Sequence, residues 1–390
     1  MGDKTSIEWT RSDDGTAGAT WNPLRFRWQD GAKSGHICLK FSEGCDFCYA
    51  GSMQPVRFAG ADYPKVSAAQ IDALREQVES GTCYLDYTAL EQPLRWKRPR
   101  RIFVCSMTDI AGEWVPDTWI EHIFAIAALT PQHTYQVLTK RPRRLLRWFQ
   151  VTGDLEDRET AVWRQAAHTG KIVWDSRGSD PWKYGHGPGA AARFANRRPW
   201  PGWPLPNVWI GTTIELDRYA WRAKVLAEIP AAVRFVSAEP LLGPLPSLQL
   251  YCPDCTGNPE WVARVMALPA GGRFALCETC DGSGRAIDWL ITGGESNGLP
   301  ERRLVKDCRW PGEGRDSHGA ICADCHGTNW ALKPDALVWL RDLRDRATAA
   351  GVAYFHKQHG GPRPKAGGRL LDGRTWEEFP QVQGREAVAV

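Results

Sequence analysis

Short runs of β-branched and aromatic residues separated by longer amphipathic stretches recur along this 390-residue chain. That alternation leaves few folds open, because strands joined by helices pair in parallel with the helices packed outside the sheet. The strand-like runs are ATWNPLRF (19–26), RIFVCSM (101–107), YQVLT (135–139), NVWIGTT (207–213), VRFVSAE (233–239), DWLITGG (288–294) and VAYFHKQ (352–358). Helices are predicted over 117–129, 216–229 and 333–351. With 43% hydrophobic residues the chain can bury a large core. The expected architecture is α/β: a single domain over 1–390 forming a partial or complete TIM-like (β/α) barrel. Two stretches interrupt it. Residues 150–206, rich in Trp, Arg, Gly and Pro, read as a surface loop or lid, and the cysteine-rich residues 251–330 flank the strand at 288–294.

Charge and hydropathy remove whole classes of function. Forty-nine Lys and Arg against 45 Asp and Glu give a net charge of +4, too little to argue for nucleic acid from bulk charge. No apolar stretch approaches the ~20 residues that span a bilayer. The first residues, MGDKTSIEWTRSDDG, lack the apolar core of a signal peptide, so no membrane partner and a cytoplasmic location are expected. In that compartment the twelve cysteines stay reduced, and their clustering reads as metal ligation rather than as a disulfide framework.

The most pointed cluster is HICLKFSEGCDFCYAG, where Cys38, Cys45 and Cys48 follow a C-x6-C-x2-C spacing. Three thiolates on one loop can hold three corners of an iron–sulfur cube and leave one iron open to a reactant, whereas a structural metal site is closed. Several predicted strands also end in polar groups: Ser106, Thr108 and Asp109; Lys140 and Arg141; Glu215; Glu239; Gly293, Gly294 and Glu295; and Lys357. In a parallel barrel such ends open on one face, together with the cysteine loop that follows the first strand. Each of these residues can equally cap a helix, start a turn or join an ion pair. Cys105 lies in the second long strand, where register decides whether it is a small core residue or a thiol facing the barrel interior.

Within 251–330, Cys252, Cys255, Cys277 and Cys280 form two CxxC knuckles at the spacing of a structural zinc ribbon. Cys308, Cys322 and Cys325 supply further ligands, and His318 or His326 completes a second tetrahedral site. One or two zinc ions are expected, with the pairing open because knuckles can alternate between metals. A structural role is preferred, since the insertion has little core of its own.

The segments SIEW, ATWNP, GCDFCYA, PLRWKRPRRIFVCSMTDI, ALTPQHTYQVLTKRP, PNVWIGTTIE, VRFVSAEPLLGPL, WLITGGES, FHKQHGG and LDGRTWEEFP together resemble the phage-associated three-cysteine-motif family. Members of that family are regarded as similar to radical S-adenosylmethionine enzymes. The resemblance implies a barrel of that type, a 4Fe-4S cluster on Cys38, Cys45 and Cys48, and S-adenosylmethionine as cosubstrate. It implies that Phe47 shields the cluster and that Ser106, Thr108 and Asp109 meet the cosubstrate's amino group. Gly293, Gly294 and Glu295 resemble the glycine-glycine-glutamate motif of these enzymes, although on the sixth predicted strand instead of the second. Lys140, Arg141, Glu215, Glu239 and Lys357 are then candidates for substrate or cosubstrate contacts. A protein partner encoded by a neighbouring gene is also implied, in the cytoplasm of a phage's host. This triad has six residues between its first two cysteines, where the commonest radical motif has three.

Basic runs at 97–101 and 140–144, and Arg193, Arg197 and Arg198 among tryptophans, suit phosphates and stacked bases. The expected function is therefore an iron–sulfur enzyme modifying a nucleic-acid base or nucleotide. The alternative is a zinc-stabilised, non-redox DNA-binding protein in which His36 joins Cys38, Cys45 and Cys48 around a closed metal.

Overall fold

The computed structural model describes residues 4–12, 14–27, 34–46, 48, 50, 76, 82–150, 159–166, 203–252, 254, 283–295, 300–302, 304–307, 325, 328–363 and 365–381. Its strands are β1 (Ala19–Trp21), β2 (Leu24–Arg27), β3 (Ser34–Gly35), β4 (Cys83–Leu85), β5 (Arg101–Val104), β6 (Thr134–Thr139), β7 (Val208–Thr213), β8 (Val233–Ala238), β9 (Trp289–Gly293), β10 (Val305–Asp307), β11 (Trp330–Leu332) and β12 (Ala353–Gln358). The longer helices are α1 (Asp117–Leu129), α2 (Pro142–Gln150), α3 (Trp221–Ala227) and α4 (Pro334–Ala349). A seven-stranded sheet runs in the order β1-β5-β6-β7-β8-β9-β12, that is, in chain order. The pairs β1/β5, β5/β6, β8/β9 and β9/β12 are parallel. This is an α/β fold of the kind expected, compatible with part of a TIM-like barrel.

The chain divides into two compact units, one of Met1–Phe41, Ala50–Ile210 and Ile229–Ala232, the other of Ser42–Tyr49, Gly211–Glu228 and Val233–Val390. In the first, β5 is buried on both faces, as a strand of a parallel sheet covered on two sides must be. Helix α1 buries Ile120, Ile123 and Phe124, and Phe124 meets Trp148 and Phe149 of α2 at ring separations of 4.8 and 5.9 Å. In the second, β9 is buried throughout. Trp289 touches Phe235, Phe355 and Phe379 at 5.7, 6.0 and 5.2 Å, and α4 buries Leu340 and Leu343.

The predicted strand 19–26 is two strands. Pro23 has no N–H to give a ladder and restricts Asn22 before it, so the chain breaks there. After the break β2 pairs antiparallel with β3 and β4 in a separate sheet. The predicted strand 101–107 ends early at Val104, because Cys105 adopts φ +53°, a left-handed conformation that no strand continues through. The predicted helix 216–229 begins as a 3-10 turn at Asp217–Tyr219 and becomes α3 only at Trp221.

Most of the 150–206 insertion lies outside the described residues. So do Cys255, Cys277, Cys280, Cys308, His318, Cys322 and His326. The edges of the cysteine-rich stretch are described: Tyr251 and Arg285 form an antiparallel bridge, and the Cys252 amide donates to the Gly284 carbonyl at 2.8 Å. The segment between 251 and 285 therefore leaves and rejoins at neighbouring points. No described helix is long and apolar enough to cross a membrane.

Candidate functional site

In the first unit, polar groups gather where β1, β5 and β6 end. Asn22 stands directly after β1. Its side-chain amide donates to Ser106 Oγ at 3.0 Å, and its carbonyl accepts from the Met107 amide at 2.9 Å. This ties the 105–108 turn to β1. The Thr108 hydroxyl donates to the Ile37 carbonyl, next to Cys38. Cys105 is buried, and burial, then Asp109, then Cys38 push its thiol well above the usual range, so it keeps its proton.

Asp109 is the hub of this end. Its carboxylate accepts from the Ala111 amide at 3.0 Å, Thr139 Oγ1 at 2.6 Å, the Lys140 amide at 3.1 Å and Arg141 Nη1 at 2.9 Å. Arg141 also donates to the Leu39 carbonyl at 3.2 Å and lies 4.7 Å from the Phe41 ring centroid. The pair is buried and multiply hydrogen-bonded, the condition under which a buried ion pair is tolerated. The arrangement fixes the backbone beside Cys38, with Asp109 as its anchor.

In the second unit the turn around Cys45 is held by side chains. Ser42 donates to Glu215, a fully buried carboxylate that also accepts from Arg222 Nη1 at 2.8 Å. Gly44 packs so closely on Glu215 that a Cβ there would come within 2.8 Å of Oε1, which is why a side chain is excluded at this point. Glu43 pairs with Arg218 and accepts from the Tyr219 hydroxyl at 2.6 Å. Arg302 reaches Asp46 and the Glu43 carbonyl at 3.0 and 2.7 Å, and Glu295 at 3.1 Å. Cys48 donates its amide to the Cys45 carbonyl at 3.4 Å, so these two thiols share one turn. Phe47, between them, lies outside the described residues.

The remaining predicted residues of this unit sit at the ends of β8, β9 and β12. Glu239 pairs with Lys357 at 2.9 Å and lies against Gly293, where a Cβ would be 2.5 Å from the carboxylate. Gly294 packs on the backbone of His359; a Cβ would overlap that residue's carbonyl oxygen. Beneath them runs a buried polar chain. Tyr354 OH lies 2.9 Å from Thr292 Oγ1, which lies 2.9 Å from His356 Nδ1. His356 Nε2 is 2.9 Å from His359 Nδ1, and His359 Nε2 is 3.0 Å from the Leu370 carbonyl. A carbonyl only accepts, so His359 donates from Nε2; with both rings neutral, His356 Nε2 then donates to His359 Nδ1 and Thr292 donates to His356 Nδ1. Burial first, then the proximity of the His359 ring and the charge of Arg369, hold His356 well below the usual imidazole range.

Cys38, Cys45 and Cys48 form no disulfide and are of intermediate exposure. Their chemistry fits either an iron–sulfur cluster or zinc. Among the described residues, no group of three or more His, Cys, Asp or Glu side chains is gathered to hold a metal ion, so the fit rests on donor chemistry and spacing. His36 is turned elsewhere: Nδ1 donates to the Leu24 carbonyl at 2.9 Å and Nε2 accepts from Arg25 at 3.1 Å. Burial moves it down to about 4. Cys252 and Cys325 are both buried. Sequence reasoning missed Asn22 and Arg302, whose partners lie far along the chain, and Arg222, whose partners Thr213, Glu215 and Tyr219 are near in sequence but form no recognisable motif.

These features define an α/β protein with a parallel sheet whose strand ends carry ion pairs and a braced cysteine turn. The chain belongs to the family described as protein of unknown function (DUF5131), whose model matches residues 4–330 and 327–380. No curated protein and no solved structure matches it significantly.

Proposed function

We propose that this chain is an iron–sulfur enzyme of the radical S-adenosylmethionine type that modifies a nucleic-acid base or nucleotide. One observation carries the reading. The three leading cysteines form no disulfide and are partly exposed, while His36, the nearest candidate for a fourth ligand, has both ring nitrogens engaged by protein groups. Three thiolates with no fourth donor among the described residues suit a cube with one open iron better than a closed zinc site. When bound, such a cluster with S-adenosylmethionine supplies a 5′-deoxyadenosyl radical that takes a hydrogen atom from substrate.

The chain's own residues have separable tasks in this reading. Cys38, Cys45 and Cys48 hold the cluster. Ser106 and Thr108, kept in place by Asn22 and the Ile37 carbonyl, offer polar groups at the end of β5. Glu239 and Lys357 offer opposite charges at the ends of β8 and β12. Cys105 keeps an S–H bond at neutral pH and is the candidate hydrogen donor. Exposed Lys97 and Arg98 follow Trp96, whose ring carries Arg100 at 4.8 Å, a surface suited to phosphate and base. The buried Cys252 and Cys325 belong in this proposal to the zinc module.

Anaerobic reconstitution tests the reading: a brown protein with roughly four iron and four sulfide per chain is expected, and 5′-deoxyadenosine should form from S-adenosylmethionine under reduction. Cys45→Ala should abolish that product with the far-ultraviolet circular dichroism unchanged. A colourless zinc protein, or undiminished product from the variant, refutes it.

A further inference from the structure

We infer that Arg302 is a positioning residue that sets the Cys45–Cys48 turn and joins it to Glu295. One planar guanidinium reaches three acceptors in the second unit: Asp46 Oδ2 at 3.0 Å from Nη1, and the Glu43 carbonyl and Glu295 Oε1 at 2.7 and 3.1 Å from Nη2. Two of these acceptors flank Cys45 on either side. The third ends the Gly293-Gly294-Glu295 segment. Arg302 and Asp46 are 256 positions apart in the chain, so the contact joins two segments that no local structure links.

The turn needs such support. Its regular part is a 3-10 helix of three residues, Glu43–Cys45, with no side-chain cap, and helices that short have no stability of their own. Its geometry is imposed from outside: Ser42 by Glu215, the Glu43 carboxylate by Arg218 and Tyr219, and the Glu43 carbonyl and Asp46 by Arg302. Only the last of these spans both sides of Cys45. A guanidinium presents its donors in a fixed plane, whereas an ammonium is a point donor on a flexible stem, so lysine cannot hold the same three acceptors in the same plane. Arg302 therefore determines where the Cys45 and Cys48 thiols point relative to Glu295. The spectroscopic part of the test rests on the cluster reading above; the exchange part does not.

The experiment compares Arg302→Ala and Arg302→Lys with the unmodified full-length chain. Amide hydrogen exchange over residues 43–48, read by mass spectrometry on the metal-free protein, should be at least about tenfold faster in Arg302→Ala, with an intermediate rate in Arg302→Lys. Exchange over 117–129 should not change. After anaerobic iron reconstitution, the paramagnetic resonance spectrum of the reduced cluster should shift in Arg302→Ala and return most of the way in Arg302→Lys. Should Arg302→Ala fail to fold, wild-type exchange over 43–48 in Arg302→Lys overturns the inference. Unchanged exchange in a folded Arg302→Ala overturns it too, even where the unmodified chain builds its cluster. If the unmodified chain takes up no iron but exchange over 43–48 rises in the variants, Arg302 keeps its role and the cluster reading falls.

Discussion

At the scale of single residues, the second unit places its largest electrostatic demand on Glu215 and Arg222. Both side chains are fully buried, and Arg222 also donates to the Thr213 carbonyl at 2.6 Å and lies 4.1 Å from the Tyr219 ring centroid. Removing one member of such a pair leaves the other charge desolvated, at a cost of about 3–5 kcal/mol. Arg222→Ala is therefore expected to lower the unfolding free energy by about that amount in urea titration. A change below about 1 kcal/mol would mean that water reaches Glu215 in the folded chain. Glu215 was expected at a strand end and sits at one, but its carboxylate braces the cysteine turn through Ser42. Asp109 likewise spends its oxygens on Thr139, Lys140 and Arg141. Residue type and strand position disclosed where these carboxylates are; their partners, from other segments, disclose what they hold.

At the scale of elements, period and composition located most of the sheet. The predicted runs 135–139, 207–213, 233–239, 288–294 and 352–358 each differ from β6, β7, β8, β9 and β12 by no more than a residue at either end, because both faces of these strands are buried and their apolar runs are continuous. The two runs that failed to extend, 19–26 and 101–107, fail at Pro23 and at the left-handed Cys105; the first was readable as a breaker, the second was not. The C-terminal segment was legible only as a family resemblance. In the structure it lies along β12: His356 donates its amide to the Trp376 carbonyl at 2.9 Å, and Glu378 donates its own to Tyr354 at 3.1 Å. Glu378 also accepts from Trp289 Nε1 at 2.8 Å. It thus covers the open edge of the last strand. Deleting residues 369–390 should expose that edge and the Trp289–Phe355 rings, producing concentration-dependent association in light scattering that the full chain does not show.

At the scale of the whole molecule, buried neutral histidines couple stability to pH. His133 is moved down to about 4, by burial first, with Arg100 adding to the shift and hydrogen bonds to Pro93 and Trp96 opposing it. His356 is held low by burial, His359 and Arg369. A depressed imidazole is protonated in the unfolded chain before the folded one. Its contribution is therefore intact above the unfolded value of about 6.5 and is lost as pH falls below it. Each group should remove up to about 1.4 kcal/mol per pH unit until its folded form protonates, near 4 for His133. Urea unfolding followed from about pH 7 down to about pH 5 should show stability falling, with a shallower slope in His356→Gln; a flat profile would contradict the buried neutral state.

The row of hydroxyl and imidazole groups from Tyr354 to Leu370 has a head and a tail. With a carbonyl at its far end, every proton along it points the same way. While both imidazoles stay neutral the row is a one-way dipole, and a proton added to either ring destroys its direction, so solvent acidity reads out as loss of polarity inside the second unit.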